Sequence, residues 1–275
     1  MQRVFPLPAA AVDRARLWLD DVKVAAPRPA STVLLVREGA AGVEVFMLRR
    51  HLTMAFAPGA LVFPGGGVDA RDADADLLWE GPSPRAWADA FGTTPKHARR
   101  HVCAAVRETF EESGVLLAAV PGSPDVVRVD GEDWERDRRR LVARELTFSE
   151  LLERRGLAIR ADLLRPWARW VTPEYEPRRY DTHFFLGVVP AAQMARNTGD
   201  EASESIWCVP ADVLDRAERG EVTLLPPTRI CLEELAAASS LAELLGEPRR
   251  TGIVRPRLEA RGGDLVLVVD LPERS

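Results

Sequence analysis

Arg107-Glu108-Thr109-Phe110-Glu111-Glu112-Ser113-Gly114-Val115 is the stretch that says most about this chain. Its spacing reads as the last turns of a helix. At about 100° per residue, Glu108, Glu111 and Glu112 stand at i, i+3 and i+4 and share one face. Gly114 follows as a stop, and Val115 returns the chain to an apolar run. Like charges at this spacing destabilise a bare helix by roughly a few tenths of a kcal/mol per pair, and the negative end of the helix dipole disfavours them again. A divalent cation would offset both costs, and hard oxygen ligands select Mg2+ or Mn2+ over zinc. The plainer reading of the same residues is a solvated acidic face.

Working outward, the neighbouring elements fit a site better than a bare acidic face. Residues 60–63 read as a short strand ended by Pro64-Gly65-Gly66-Gly67, and glycine there lets backbone approach a ligand closely. Residues 31–37 and 43–50 are apolar, β-branched runs around a Gly-containing turn, a hairpin or meander. The stretch 72–95 reads as irregular, and a helix starts near Pro95 and runs to Glu112. Residues 132–155 are helical in two pieces that part near Thr147, and Arg138-Arg139-Arg140 read as a solvated helix face. Strands are expected at 167–172, 180–189 and 204–209, helices at 210–219, 226–238 and 240–246, and a hairpin around Gly262-Gly263. Short strands mixed with helices predict an α/β or α+β sandwich.

Composition narrows the function classes. The chain has 275 residues, 46% hydrophobic and 29% charged, which excludes a wholly disordered protein. A net charge of -5 argues against a nonspecific nucleic-acid binder. Lysine occurs only at Lys23 and Lys96, so arginine supplies nearly all the positive charge and a single arginine carries little weight. No stretch approaches the roughly 20 apolar residues of a membrane helix, and the first residues do not read as a signal peptide. Cys103, Cys208 and Cys231 form no CxxC pair, so a cytoplasmic location is expected. His97, His101 and Cys103 read as ordinary helix residues, and His183 as a hydrogen-bonded core residue. Trp167, Trp170 and Trp207 read as core.

The residues 107–115, taken with Phe63-Pro64-Gly65-Gly66, resemble the Nudix box of the Nudix hydrolases, G-x5-E-x7-R-E-U-x-E-E-x-G-U with U apolar. With Gly66 as the first glycine, the box acid falls on Asp72 rather than a glutamate. The 34 residues Ala73–Val106 then stand where the pattern has 7, an insertion of 27, and Thr109 replaces an apolar residue. An insertion inside the box, the run from Phe56 to Asp69, Trp170-Val171-Thr172-Pro173, the run Arg179 to Leu186, and Leu224 to Thr228 are similar to the branch that contains the peroxisomal coenzyme A diphosphatases. The resemblance spans residues 30–235.

The resemblance implies a Nudix fold, with a mixed β-sheet sandwiched between helices, the insertion and additional helices. It implies one elaborated domain over 1–275, with a core at about 30–247 and a C-terminal extension at about 248–275. Glu108, Glu111 and Glu112 are then the metal ligands for Mg2+ or Mn2+, joined by the carbonyl of Gly65. Arg107 orients a carboxylate. Glu204 is the first candidate for a catalytic base or extra ligand, and Glu201 the second. Gly66, Arg50 and Arg179 are candidate substrate contacts, with Arg49 and Arg178 beside them. The expected substrate is a nucleoside-diphosphate-linked small molecule, best coenzyme A or acyl-coenzyme A, with ADP-ribose, NADH or a dinucleotide as alternatives. A non-catalytic binding or regulatory module is the alternative of another class. Neither nucleic acid nor membrane is an expected partner, a homodimer is left open, and the final Glu273-Arg274-Ser275 does not read as a peroxisomal address.

Overall fold

A computed structural model describes residues 1–40, 42–53, 57–73, 77–196, 198, 202–246 and 249–272. In chain order, β1 (Gln2–Pro6) and α1 (Ala9–Asp20) precede β2 (Arg28–Gly39), β3 (Gly42–Arg50), β4 (Leu61–Val62) and β5 (Gly65–Gly67). After a short 3-10 turn at Ala70–Ala73 come β6 (Trp79–Glu80), α2 (Pro84–Phe91), α3 (Pro95–Ser113), β7 (Ala118–Ala119), α4 (Glu132–Val142) and α5 (Phe148–Arg155). There follow β8 (Ala158–Arg160), β9 (Leu164–Val171), β10 (Tyr180–Val188), β11 (Ala202–Cys208), α6 (Pro210–Glu218), α7 (Pro226–Ala237) and α8 (Leu241–Leu244). The chain closes with β12 (Ile253–Val254), β13 (Arg257–Arg261) and β14 (Asp264–Asp270).

The central sheet is mixed, in the order β11-β3-β2-β10-β9-β12, with β4 added to β3 and β5 to β2. β2 and β10 run parallel, while β2–β3, β3–β11 and β9–β10 are antiparallel. Strand period 2 divides its side chains between two cores. Val33, Leu35, Phe46, Leu48 and Phe185 face α2, α3, α4 and α5. Leu34, Val36, Val45, Met47 and Phe184 face α6, α7 and α8. Burial on both faces explains why β2, β3 and β10 read as continuous apolar runs.

The stretch 72–95 differs from the irregular segment expected of it. It contains α2, capped by Ser83, begun by Pro84 and ended by left-handed Gly92. Trp87, Ala88 and Phe91 bury against the sheet, so tertiary packing stabilises an eight-residue helix that propensity alone would leave marginal. The N-terminal strand β1 pairs with β14, and β13 pairs with β14, forming a three-stranded sheet from the two ends of the chain. Helix α1 packs on it through Ala11 and Ala15, against Tyr175 and Leu267.

Candidate active site

Helix α3 delivers the three glutamates. Thr94 caps it by accepting from the His97 N–H, Pro95 sits in its first turn, and Gly114 ends it in the left-handed region at φ 72°. Thr109, which departs from the apolar residue of the box, is fully buried and donates its hydroxyl to the Ala105 carbonyl, so its polar atom is satisfied within the helix. The helix packs against β2 and β5. Glycine is required in β5 because the backbone approaches so closely. A Cβ on Gly65 would lie 2.4 Å from the Ser31 carbonyl oxygen, and one on Gly66 would lie 2.6 Å from the Glu108 carboxylate. The Gly65 N–H donates to Glu112 at 2.8 Å.

The box closes in space although it is open in sequence. Asp72, 3% exposed, accepts from Arg107 Nε at 2.9 Å and from Arg107 Nη2 at 3.0 Å. Arg107 also donates to Glu108 at 2.9 Å, to Glu111 at 3.2 Å and to the Gly67 carbonyl at 2.8 Å. The insertion therefore leaves and returns without parting the acid from the arginine. Burial pushes the Glu108 carboxyl up to about 7, against the pull of Arg107 and with Glu111 adding to the rise. Burial raises Glu111 as well. Burial works against the charge on Arg107, but Asp72, Glu108 and Glu111 hold it charged above its ordinary range.

These residues form one end of a cavity of about 840 Å³. Four carboxylates, Asp72, Glu108, Glu111 and Glu112, line that end, and Arg107 serves three of them. The surplus negative charge and all-oxygen donors suit a hard divalent cation. Among the described residues no three His, Cys, Asp or Glu side chains already stand around a common point that would hold an ion. The partners seen explain this: the Gly65 N–H engages Glu112, and Arg107 engages Glu108 and Glu111. The rest of the lining mixes apolar side chains, Phe63, Phe148, Trp170 and Phe184 among them, with Arg50, Arg144, Arg178 and several threonines.

The chain belongs to the NUDT19 Nudix domain family. The family model matches residues 85–235, more than half of the chain, and takes in the whole of α3. The acyl-coenzyme A diphosphatase NUDT19 of Gallus gallus is 29% identical over 247 residues, 75% of this chain and 64% of that protein. The protein of the same name from Homo sapiens is 30% identical over 241 residues, 74% of this chain and 64% of that one. The chain thus spans just under two thirds of the length of these relatives. The crystal structure of a NUDIX hydrolase from Alicyclobacillus acidocaldarius, 29% identical, superposes with a TM-score of 0.69 over 82% of this chain and 98% of that one. The mixed sheet between helices is accordingly the Nudix fold.

Several site expectations are changed by the Nudix-fold geometry. Gly65, Gly66, Arg107, the three glutamates, Arg50 and Arg178 all line the cavity. Glu204 does not: its side chain is 53% exposed and pairs with Arg49 at 3.2 Å. Glu201 lies outside the described residues. Arg179 does not line the cavity either; its buried guanidinium donates to the carbonyls of Thr172 at 3.0 Å and Ala25 at 2.7 Å. Arg138 is no solvated face either. It is buried and donates to the Glu111 carbonyl at 2.8 Å, binding α4 to the end of α3. Trp170 is buried as expected of core and also lines the cavity. His183 is buried, yet neither ring nitrogen has a hydrogen-bond partner among the described residues; it lies 3.8 Å from the His101 ring centroid and meets Phe91 edge-on at 4.6 Å. The turn between α4 and α5, which supplies Arg144 and Leu146 to the cavity just before Phe148 at the start of α5, had no site motif to announce it.

Proposed function

We propose that this protein is a divalent-cation-dependent hydrolase that splits the diphosphate of coenzyme A or an acyl-coenzyme A by attack of water on phosphorus. The observation that carries the reading is the carboxylate cluster around Arg107 in a cavity lined elsewhere by both apolar side chains and arginines. A diphosphate at the glutamate end leaves the rest of the cavity for the pantetheine arm and an acyl chain. The family, and the activity for which the relatives are named, support the same choice.

Glu108, Glu111, Glu112 and the Gly65 carbonyl would hold Mg2+ or Mn2+. A cation bound there neutralises phosphate oxygens and lowers the cost of forming hydroxide from water. Arg107 does not need to touch substrate. Its three carboxylate partners support an orienting role, in which it fixes Glu108 and Glu111 against one another and against Asp72. The β5 glycines keep side chains out of the space beside Glu108. With Glu204 paired to Arg49, the carboxylates within the cavity are those placed to accept the proton of an attacking water.

The test is a panel of coenzyme A, acyl-coenzyme A, ADP-ribose, NADH and dinucleoside polyphosphates with Mg2+ or Mn2+. Cleavage of the coenzyme A compounds to adenosine 3′,5′-bisphosphate, lost in Glu111→Gln and Glu112→Gln with thermal unfolding unchanged, is the expected result. Binding across the panel without cleavage would replace this reading with a non-catalytic module.

A further inference from the structure

Helix α4 ends in a way that breaks a local rule. The Arg144 N–H donates to the Leu141 carbonyl and the Glu145 N–H to the Arg140 carbonyl, both at 2.9 Å. This is the Schellman arrangement, whose left-handed position is usually glycine. Helix α6 shows the same two bonds, from Gly220 to Ala217 and from Glu221 to Arg216, and has glycine in the left-handed place at φ 73°. Gly92, Gly114 and Gly156 serve likewise after α2, α3 and α5. At the end of α4 the residue is Arg144, at φ 59°. A side chain with a Cβ is held where glycine would be easier, and strain of this kind gathers at functional sites.

The strained residue lines the cavity. So does Arg178, from the connection between β9 and β10. Both are exposed, and neither guanidinium has an ion pair or hydrogen bond among the described residues. Other cavity arginines differ: Arg71 pairs with Asp69, and Arg107 with three carboxylates. The segment that presents Arg178 is held in place. Tyr175 packs with Ala11 and Ala15, Glu176 pairs with Arg14 at 2.8 Å, and Arg179 bonds the Ala25 carbonyl.

We propose that Arg144 and Arg178 together bind a second anionic group of the substrate, a phosphomonoester carried by the nucleoside, separate from the diphosphate at the glutamates. The inference rests on the nucleoside-diphosphate reading of the cavity. Two guanidinium groups without carboxylate partners match a group that carries up to two negative charges and several acceptor oxygens. The chain keeps arginine at the left-handed position because glycine, though easier for the backbone, has no guanidinium.

The probes are adenosine 3′,5′-bisphosphate and 5′-AMP, titrated calorimetrically into wild type, Arg144→Gly and Arg178→Gln. Arg144→Gly suits its backbone position, so its unfolding temperature should equal or exceed that of wild type. Wild type should prefer the bisphosphate by about tenfold or more, the scale of one charge-assisted hydrogen bond. Each variant should cut that preference about tenfold, with Arg144→Lys restoring part of it. A wild type without the preference, or a preference that survives Arg144→Gly and Arg178→Gln, overturns the proposal. Coenzyme A hydrolysis is measured alongside. No cleavage with the bisphosphate preference intact sinks the hydrolase reading and leaves the anion site standing.

Discussion

At the scale of single residues, Asp72 shows why one carboxylate can matter as much as the three glutamates. It is buried and accepts both Arg107 Nε and Arg107 Nη2. Removing one partner of a buried ion pair leaves the other charge uncompensated, at a cost of about 3 kcal/mol or more. Asp72→Asn keeps the shape and removes the charge. Its unfolding free energy from urea titration should fall by about that much, and turnover in the proposed reaction should fall with it because Glu108 and Glu111 lose the orientation Arg107 provides. Unchanged stability in Asp72→Asn would show that Glu108 and Glu111 satisfy Arg107 without it. Glu204→Gln carries the opposite expectation. An exposed pair with Arg49 contributes at most about 1 kcal/mol, so stability and turnover should both stay near wild type.

At the scale of elements, the pairing of β5 with β2 and the packing of α3 on both make the glycine run a spacer. Gly66→Ala puts a methyl group into the Glu108 carboxylate. Glu108 must then turn away, and turnover in the proposed reaction should drop at least about tenfold, the effect expected when a proposed metal ligand is misplaced. Gly67→Ala is the control in the same strand. Its added Cβ meets nothing within 4 Å, so its turnover should match wild type. Equal losses in the two variants would point to backbone stiffening of β5 rather than to the Glu108 contact.

Across the whole molecule, the His101–His183 contact couples α3 to the sheet and sets a pH limit on stability. Burial lowers His101 to about 4 and His183 to about 2, and in both cases Arg169 adds to the fall. Asp181 opposes it at His101, His97 lowers both rings, and His101 lowers His183 further. Asp181 and Arg169 are themselves paired at 2.8 Å. An unfolded imidazole titrates near 6.5, so below that pH the unfolded chain binds more protons than the folded one. The stability these two rings contribute is therefore full above about pH 6.5 and falls as pH drops, by about 1.4 kcal/mol per unit for each ring that stays neutral in the fold. The raised Glu108 carboxyl takes up a proton in the fold over the same range and opposes that slope, so the readout is the difference between chains: from pH 7 to pH 5, His183→Phe should lose less stability in urea unfolding than wild type. A slope unchanged in His183→Phe would assign the acid sensitivity to other groups.

Local signals in the chain carry a good deal at this largest scale. The 3.6-residue spacing of Glu108, Glu111 and Glu112, bounded by Pro95 and Gly114, announced α3 and its acidic face. The apolar runs at 31–37 and 43–50 announced β2 and β3, and the turn at Gly262-Gly263 the hairpin β13–β14. Such patterns are legible because helix, strand and turn are decided by neighbours a few residues apart. Other features depended on partners far along the chain. The fit of Asp72 to Arg107 spans 35 positions and a helix in between. Arg179 looked like a free cation until the Ala25 carbonyl met it from 154 positions away. Arg178 and Arg144, 34 positions apart in the chain, line one cavity through two unrelated connections. Residue type and spacing settle which groups an element can present. Which of them remain free for a ligand is settled only when every carbonyl and carboxylate in the fold has found its donor, because a buried polar group takes the partner that packing brings to it.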